Sequence, residues 1–190
     1  MTVQLFKGRG LQPFNRVRVG HMHIMPGSWN PLHDAHRWMF DHIEDEAVSS
    51  HAYEGGVAYS STTSAKYFEL STSRIGKEDL KEEELSRRLS QFAGYADVIV
   101  TPYPYFSDKY EALRPFANLI VFHIGYDNYE RLREISGEAT ISQMKCRFCV
   151  WPRNGKRLEK GPKNCFDSGV DLPAPLQGMS STQIRSGTKQ

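Results

Sequence analysis

One stretch constrains the fold of this chain more than any other, Pro26-Gly27-Ser28-Trp29-Asn30-Pro31-Leu32-His33-Asp34-Ala35-His36. A strand pattern gives way there to a helix pattern through two tight-turn signals. Gly27 can take backbone angles that other residues avoid, and it lets a phosphate approach the main chain closely. Asn30 is a good helix cap and Pro31 a good first helical residue, so a helix is expected to begin here. Leu32, Ala35, Met39, Ile43 and Ala47 then recur in threes and fours, an apolar stripe of helical period. His33 and His36, at i and i+3, would share one face of the first turn, beside the unpaired amides of the helix N-terminus. That end carries partial positive charge and outward-pointing donors, which suits phosphate. Histidine pairs on amphipathic helices are more often structural, and i, i+3 pairs also bind metals. Here glycine, cap, proline and both histidines fall in register, and the stretch reads as a phosphate-handling site.

Around it, strand and helix patterns alternate. Residues 1–15 contain Gly8, Gly10 and Pro13 and are expected to form a loose N-terminal arm, leaving residues 16–190 as a single domain. Residues 16–25 read as the first strand, with Val17 and Val19 on one face and His21 and His23 continuing it toward the glycine loop. A short strand is expected at 55–60, a loop at 60–64 and a possible edge strand at 68–71. Residues 78–92 form a helix pattern with Leu80, Leu85, Leu89 and Phe92 on one side and an acidic opening turn. Buried strands follow at 96–101, 119–124 and 147–151, with helices at 106–113 and 128–135. This alternation predicts an α/β fold, a Rossmann-like, doubly wound and mainly parallel sheet with helices on both faces. In such sheets ligands sit at the carboxyl ends of the strands, near the switch in strand order. Gly125-Tyr126-Asp127 arrives at that edge, with a glycine for close approach and an aspartate to accept ribose hydroxyls, although such pairs are also common loop and cap residues.

Composition narrows the partners. A net charge of +2 gives no case for a nucleic-acid or membrane partner, and the basic run at 153–163 reads as a solvated loop. No apolar run reaches the length of a membrane span, and the N-terminus lacks a secretory signal's apolar core, so an intracellular, cytoplasmic protein is expected. Cys146, Cys149 and Cys165 are an odd set. No fourth zinc ligand is evident nearby, and free structural thiols are the better reading. No metal ligand set is assigned.

The second anchor is the tail, Gly178-Met179-Ser180-Ser181-Thr182-Gln183-Ile184-Arg185. Ser180 can cap a helix starting at Ser181, and the Arg185 fork can grip phosphate oxygens in pairs. Alone, this reads as an ordinary capped helix. Together with the first stretch it resembles the nucleotidyltransferase superfamily. The first stretch matches the Gly-x-Phe-x-Pro-x-His-x-x-His signature, with Trp29 in the Phe position and Ala35 where the wider superfamily often has Gly. The tail matches the Ser-Ser-Thr-x-Ile-Arg motif of the same triphosphate site. The resemblance is closest to nicotinamide and nicotinate mononucleotide adenylyltransferases. It covers residues 16–187, including the Phe122-His-Ile-Gly-Tyr-Asp127 block, and members of that branch usually continue through a further helical segment.

The resemblance implies transfer of AMP from ATP to nicotinamide or nicotinic acid mononucleotide, with release of pyrophosphate and Mg²⁺ accompanying the triphosphate. It casts His33, His36 and Arg185 as catalytic, and Gly27, Ser28, Gly125, Asp127, Ser180, Ser181 and Thr182 as ATP-binding. ATP and a phosphate-monoester acceptor are the expected partners, and a homo-oligomer is compatible with the reading. The alternatives are another acceptor such as phosphopantetheine, CTP-dependent cytidylyl transfer, or a non-catalytic nucleotide-binding protein. Lys66 and Lys77 are candidates to reach the acceptor, and nothing in the sequence separates them from solvated lysines.

Overall fold

A computed structural model describes residues 2–8, 10–43 and 63–187. The expected strand at 55–60, most of the expected loop at 60–64, and Ala47 lie outside them. Among the described residues, eight strands form one sheet in the order β2-β1-β5-β4-β3-β6-β7-β8. They are β1 (Gln4–Lys7), β2 (Gly10–Pro13), β3 (Val19–Pro26), β4 (Ser64–Ser71), β5 (Val98–Thr101), β6 (Ala117–Gly125), β7 (Arg147–Trp151) and β8 (Cys165–Asp167). The six from β3 to β8 pair in parallel, and β1 joins β5 antiparallel. Strand order reverses between β3 and β6, which places the switch point beside Pro26.

The helices are α1 (Asp34–Asp41), α2 (Glu82–Leu89), α3 (Phe106–Leu113), α4 (Tyr126–Gln143) and α5 (Ser181–Ser186). They cover both faces. On one, Ala35, Met39 and Phe40 of α1 and Leu89 of α2 pack against Phe68, Leu70, Val98, Val100, Val121 and Trp151. On the other, Leu113 of α3 and Tyr129, Leu132 and Ile141 of α4 pack against Ile24, Ile99, Ile120, Phe122 and Phe148. Successive strand residues point to opposite faces, so strands apolar on both sides, such as Val98–Thr101, feed two cores at once. The doubly wound α/β sheet expected from the alternation is the observed fold.

Several local expectations change. Strands β1 and β2 pair antiparallel on the β5 edge where a loose arm was expected, because Leu5 and Phe6 are buried against the sheet. The first parallel strand starts at Val19, and Val17 is left 89% exposed. The helix expected from residue 78 begins at Glu82, and α4 runs beyond residue 135 but breaks at Gly137, whose φ of 72° is left-handed. Cys146 and Cys149 are buried and Cys165 half-buried, and all three are free thiols.

Candidate active site

A cleft of about 810 Å³ opens at the carboxyl ends of β3 and β6, at the switch point. Its floor starts from the loop after β3, where the local structure departs from expectation. Asn30 does not cap α1, which begins four residues later with His33 in the cap position and no side-chain cap bond. The reason is a distant side chain. Gln91 accepts from Leu32 N–H through Oε1 (2.8 Å) and donates through Nε2 to the Trp29 carbonyl (2.9 Å), so the loop's backbone groups are committed before a helical turn can use them. The Asn30 side chain accepts instead from Arg87 (2.8 Å).

Gly27 is required for a reason other than backbone angle. The left-handed residue is Trp29, at φ 50°. Its indole fills the space where a side chain on Gly27 would stand, and a Cβ there would lie 2.5 Å from the ring. The indole N–H donates to the Glu69 carbonyl (2.8 Å), and the ring meets His36 edge-on, with centroids 4.9 Å apart. Gly27→Ala is therefore expected to destabilise the fold by about 1–3 kcal/mol through overpacking. Urea denaturation checks this, and an unchanged midpoint would mean that the indole yields freely.

His36 lines the cleft, whereas His33 is buried against it, with ring centroids 3.5 Å apart and planes 24° from parallel. Both nitrogens of His33 and Nδ1 of His36 are buried and have no hydrogen-bond partner among the described residues. Buried polar atoms are normally satisfied, so these nitrogens are an exception in the structure. Burial, the neighbouring His33 and the Arg153 guanidinium, in that order, push His36 down to about 2. Burial and Arg153 push His33 down to about 4, against a smaller opposing effect of Asp34. Near neutral pH both rings are neutral donors.

Behind them runs a second buried chain. Trp151 N–H, a donor only, donates to His123 Nδ1 (3.2 Å), so His123 carries its proton on Nε2 and gives it to His23 Nδ1 (2.8 Å). His23 is pushed down to about 4 by burial, His21 and Lys66, and His123 is held well below its ordinary range by burial, His23 and Lys66. Above about pH 6.5, folded and unfolded chains both hold these imidazoles neutral. Below it the unfolded chain takes up protons that the folded chain refuses, so stability falls as pH drops toward about 4. Each excluded proton costs about 2 kcal/mol by about pH 5. Urea denaturation near pH 7.5 and near pH 5 should differ by at least this amount; coincident curves would contradict the burial of these rings.

The tail motif reaches the same cleft. Ser180 caps α5, its hydroxyl accepting from Gln183 N–H (3.2 Å), and Ser180, Ser181 and Thr182 line the cleft with Gly27 and Ser28. Ser181 donates to the Pro31 carbonyl (2.9 Å), and Arg185 donates to the Asn30 carbonyl and to Thr182 Oγ1. The structure thus brings together two motifs about 150 residues apart. Arg185 ties them to each other and is not among the cleft-lining side chains.

Gly125 ends β6 and caps α4, and Asp127 lines the cleft, 3.6 Å from Arg153 in an ion pair. A Cβ on Gly125 would lie 2.7 Å from the Asp127 carboxylate. Arg153, expected within a solvated basic loop, instead lines the cleft and donates to the Met179 carbonyl (2.9 Å), joining β7, α4 and the tail. Two further residues escape sequence reading. Arg88 is buried between Glu84 (2.7 Å) and the Ser28 carbonyl (2.7 Å), holding the glycine loop. Lys109 pairs with fully buried Glu69 (2.8 Å), which also accepts from the Thr101 hydroxyl (2.6 Å). Only charged residues in helix patterns hinted at either.

Comparison with solved structures decides what fold this cleft belongs to. The Plasmodium falciparum nicotinic acid mononucleotide adenylyltransferase complexed with NaAD superposes with a TM-score of 0.60 at 13% identity, over 88% of this chain and 83% of that one. The chain has a mononucleotide adenylyltransferase-like fold. The same enzyme complexed with APC gives a TM-score of 0.58 at 12% identity, over the same shares of the two chains. No protein-family model and no curated protein sequence matches the chain. Among the described residues of this adenylyltransferase-like fold, no helix is long and apolar enough to cross a membrane.

Proposed function

We propose that the protein transfers AMP from ATP to nicotinamide or nicotinic acid mononucleotide. One observation carries this reading: the histidine loop and the serine-rich tail helix, far apart in sequence, meet at the sheet's switch point around unsatisfied histidine nitrogens. An acceptor phosphate oxygen attacks the α-phosphorus. A new phosphorus–oxygen bond forms as the bond to the bridging oxygen breaks, and pyrophosphate leaves with the electron pair. The acceptor phosphate has its second pKa near 6 and is mostly a dianion at neutral pH, so no strong base is required. Catalysis is then positioning and charge stabilisation.

His36 donates a hydrogen bond to the α- and β-phosphates as charge builds on the leaving oxygen. His33 stacks behind it and sets its ring plane. Gly27, Ser28, Ser180, Ser181 and Thr182 cradle the phosphates, Arg185 locks the two motifs around them, and Gly125 and Asp127 receive the ribose. Mg²⁺ belongs to the substrate here, entering on the triphosphate, as it often does with few protein ligands.

The test is pyrophosphate release from ATP and Mg²⁺ with each mononucleotide, the products being identified by mass. A dinucleotide is expected. Release only with another phosphate monoester would keep the transfer and replace the acceptor, and ATP binding without release would leave a non-catalytic nucleotide-binding protein.

A further inference from the structure

Asn30-Pro31 has the chemistry of a helix start, yet α1 begins at Asp34. Gly27, Ser28 and Trp29 line the cleft before this gap, and His36 lines it after. The path of the chain between Trp29 and Asp34 therefore sets how the glycine loop and the histidine face each other.

One side chain spans the gap. Gln91 sits in the short 3-10 turn, Ser90–Phe92, that continues α2. It accepts from Leu32 N–H, donates to the Trp29 carbonyl, and gives its second amide proton to the Arg88 carbonyl (3.1 Å). The partners fix which end of the amide is oxygen, since a main-chain N–H only donates and a carbonyl only accepts. Arg37 of α1 closes the frame by donating to the Gln91 carbonyl (3.3 Å). Beside it, Arg88 holds the Ser28 carbonyl. The carbonyl and the amide of one trans peptide point in opposite directions, so pinning the Ser28 and Trp29 carbonyls also aims the N–H groups of Trp29 and Asn30. These two, and Ser28 N–H, donate no hydrogen bond among the described residues. Consecutive free amides beside a left-handed residue, here Trp29, gather into an anion-binding concavity. Gln91 itself is not among the cleft-lining residues.

Resting on the proposed AMP transfer, we infer that Gln91 is a positioning residue, which holds residues 29–32 out of α1 so that the loop amides and His36 meet the same triphosphate. It acts from behind the loop and never touches the ligand. Without it the Trp29 carbonyl and Leu32 N–H are released, and the helix start written into Asn30-Pro31 becomes available. An earlier first turn then draws the amides away from the phosphates. A misplacement of this kind, remote from the chemistry, costs about 10²-fold in rate.

Gln91→Met, which keeps the side chain's length and removes both hydrogen bonds, tests this in the full chain. Calorimetric titration with ATP and Mg²⁺ should show affinity lowered about tenfold. Pyrophosphate release should show kcat lowered about 10²-fold, with KM for the mononucleotide little changed. In ¹⁵N and ¹³C spectra of the ligand-free protein, the Trp29 indole signal should move while those of Trp38 and Trp151 stay, and the carbon shifts at residues 31–33 should move toward helical values. Phe14→Leu, in the core on the other face of the sheet, is the control for lost stability and should leave ATP affinity unchanged. Unchanged ATP affinity and kcat in folded Gln91→Met overturn the inference. So does an equal loss in Phe14→Leu, or weaker ATP binding with the loop signals unmoved. ATP binding that Gln91→Met weakens, in a chain that releases no pyrophosphate, would overturn the reaction and leave the positioning role standing. No ATP binding by the unaltered chain overturns both.

Discussion

His36→Ala is expected to lower kcat about 10²- to 10³-fold with the fold retained, the usual cost of removing one donor aimed at developing charge. The position favours a large effect. His36 lines the cleft, its Nδ1 is buried without a partner among the described residues, and Trp29 and His33 hold its ring from two sides. A neutral imidazole is the right species, because it gives a proton-bearing nitrogen to the phosphate without the cost of burying a second cation beside Arg153. Pyrophosphate release by the variant, with circular dichroism to confirm folding, reads the effect directly. Near-normal turnover by a folded His36→Ala protein would remove this residue from the mechanism. His36→Asn, which keeps a donor, should recover part of the loss if hydrogen bonding is what counts.

The second large effect is expected at Lys109. Lys109→Met should cost about 3–5 kcal/mol of stability, because it leaves the Glu69 carboxylate buried with its charge unpaired. Glu69 is fully buried, and it also accepts from the Thr101 hydroxyl. The ion pair itself is not the source of that stability. A double variant, Lys109→Met with Glu69→Leu, should recover most of the loss, since buried pairs replaced together are often neutral. Urea denaturation of the two single and the double variants closes the cycle. Equal destabilisation by the single and double changes would mean that Lys109 acts through packing. The site is involved as well, because the Glu69 carbonyl receives Gly27 N–H (3.0 Å) and the Trp29 indole, so disturbing this strand end moves the glycine loop.

What was legible in the sequence was whatever depended on local pattern. The apolar runs of β5 and β7, the helix of α3 between Pro104 and Pro115, and the glycine turn after β6 follow from neighbours in the chain. The pairing of β1 with β2 did not, because four-residue strands, one of them holding Gly10 and Pro13, carry little periodicity and exist through pairing with each other and, for β1, with β5. Strand β8, three residues long, is held by register with β7 and was equally silent. The start of α1 was misplaced for a similar reason. Asn30-Pro31 has the chemistry of a helix start, but Gln91 takes the backbone groups that the first turn would have used. In the site, the motif residues could be named in advance, but not which of them line the cleft and which brace it. Arg153 looked like loop charge because Asp127 and Met179 are brought to it only by the folded sheet.

The tail helix also has a dynamic consequence. None of α5's residues is buried, and Ile184 is 44% exposed. Hydrogen bonds from Ser181 and Arg185 tie it to the histidine loop. Segments held this way open at a fraction of the global unfolding free energy. The α5 amides should therefore exchange with solvent much faster than those of β3 or β6, and a triphosphate bridging Ser28 to Thr182 should slow them by mass action. The protein would complete its own binding site in the act of filling it.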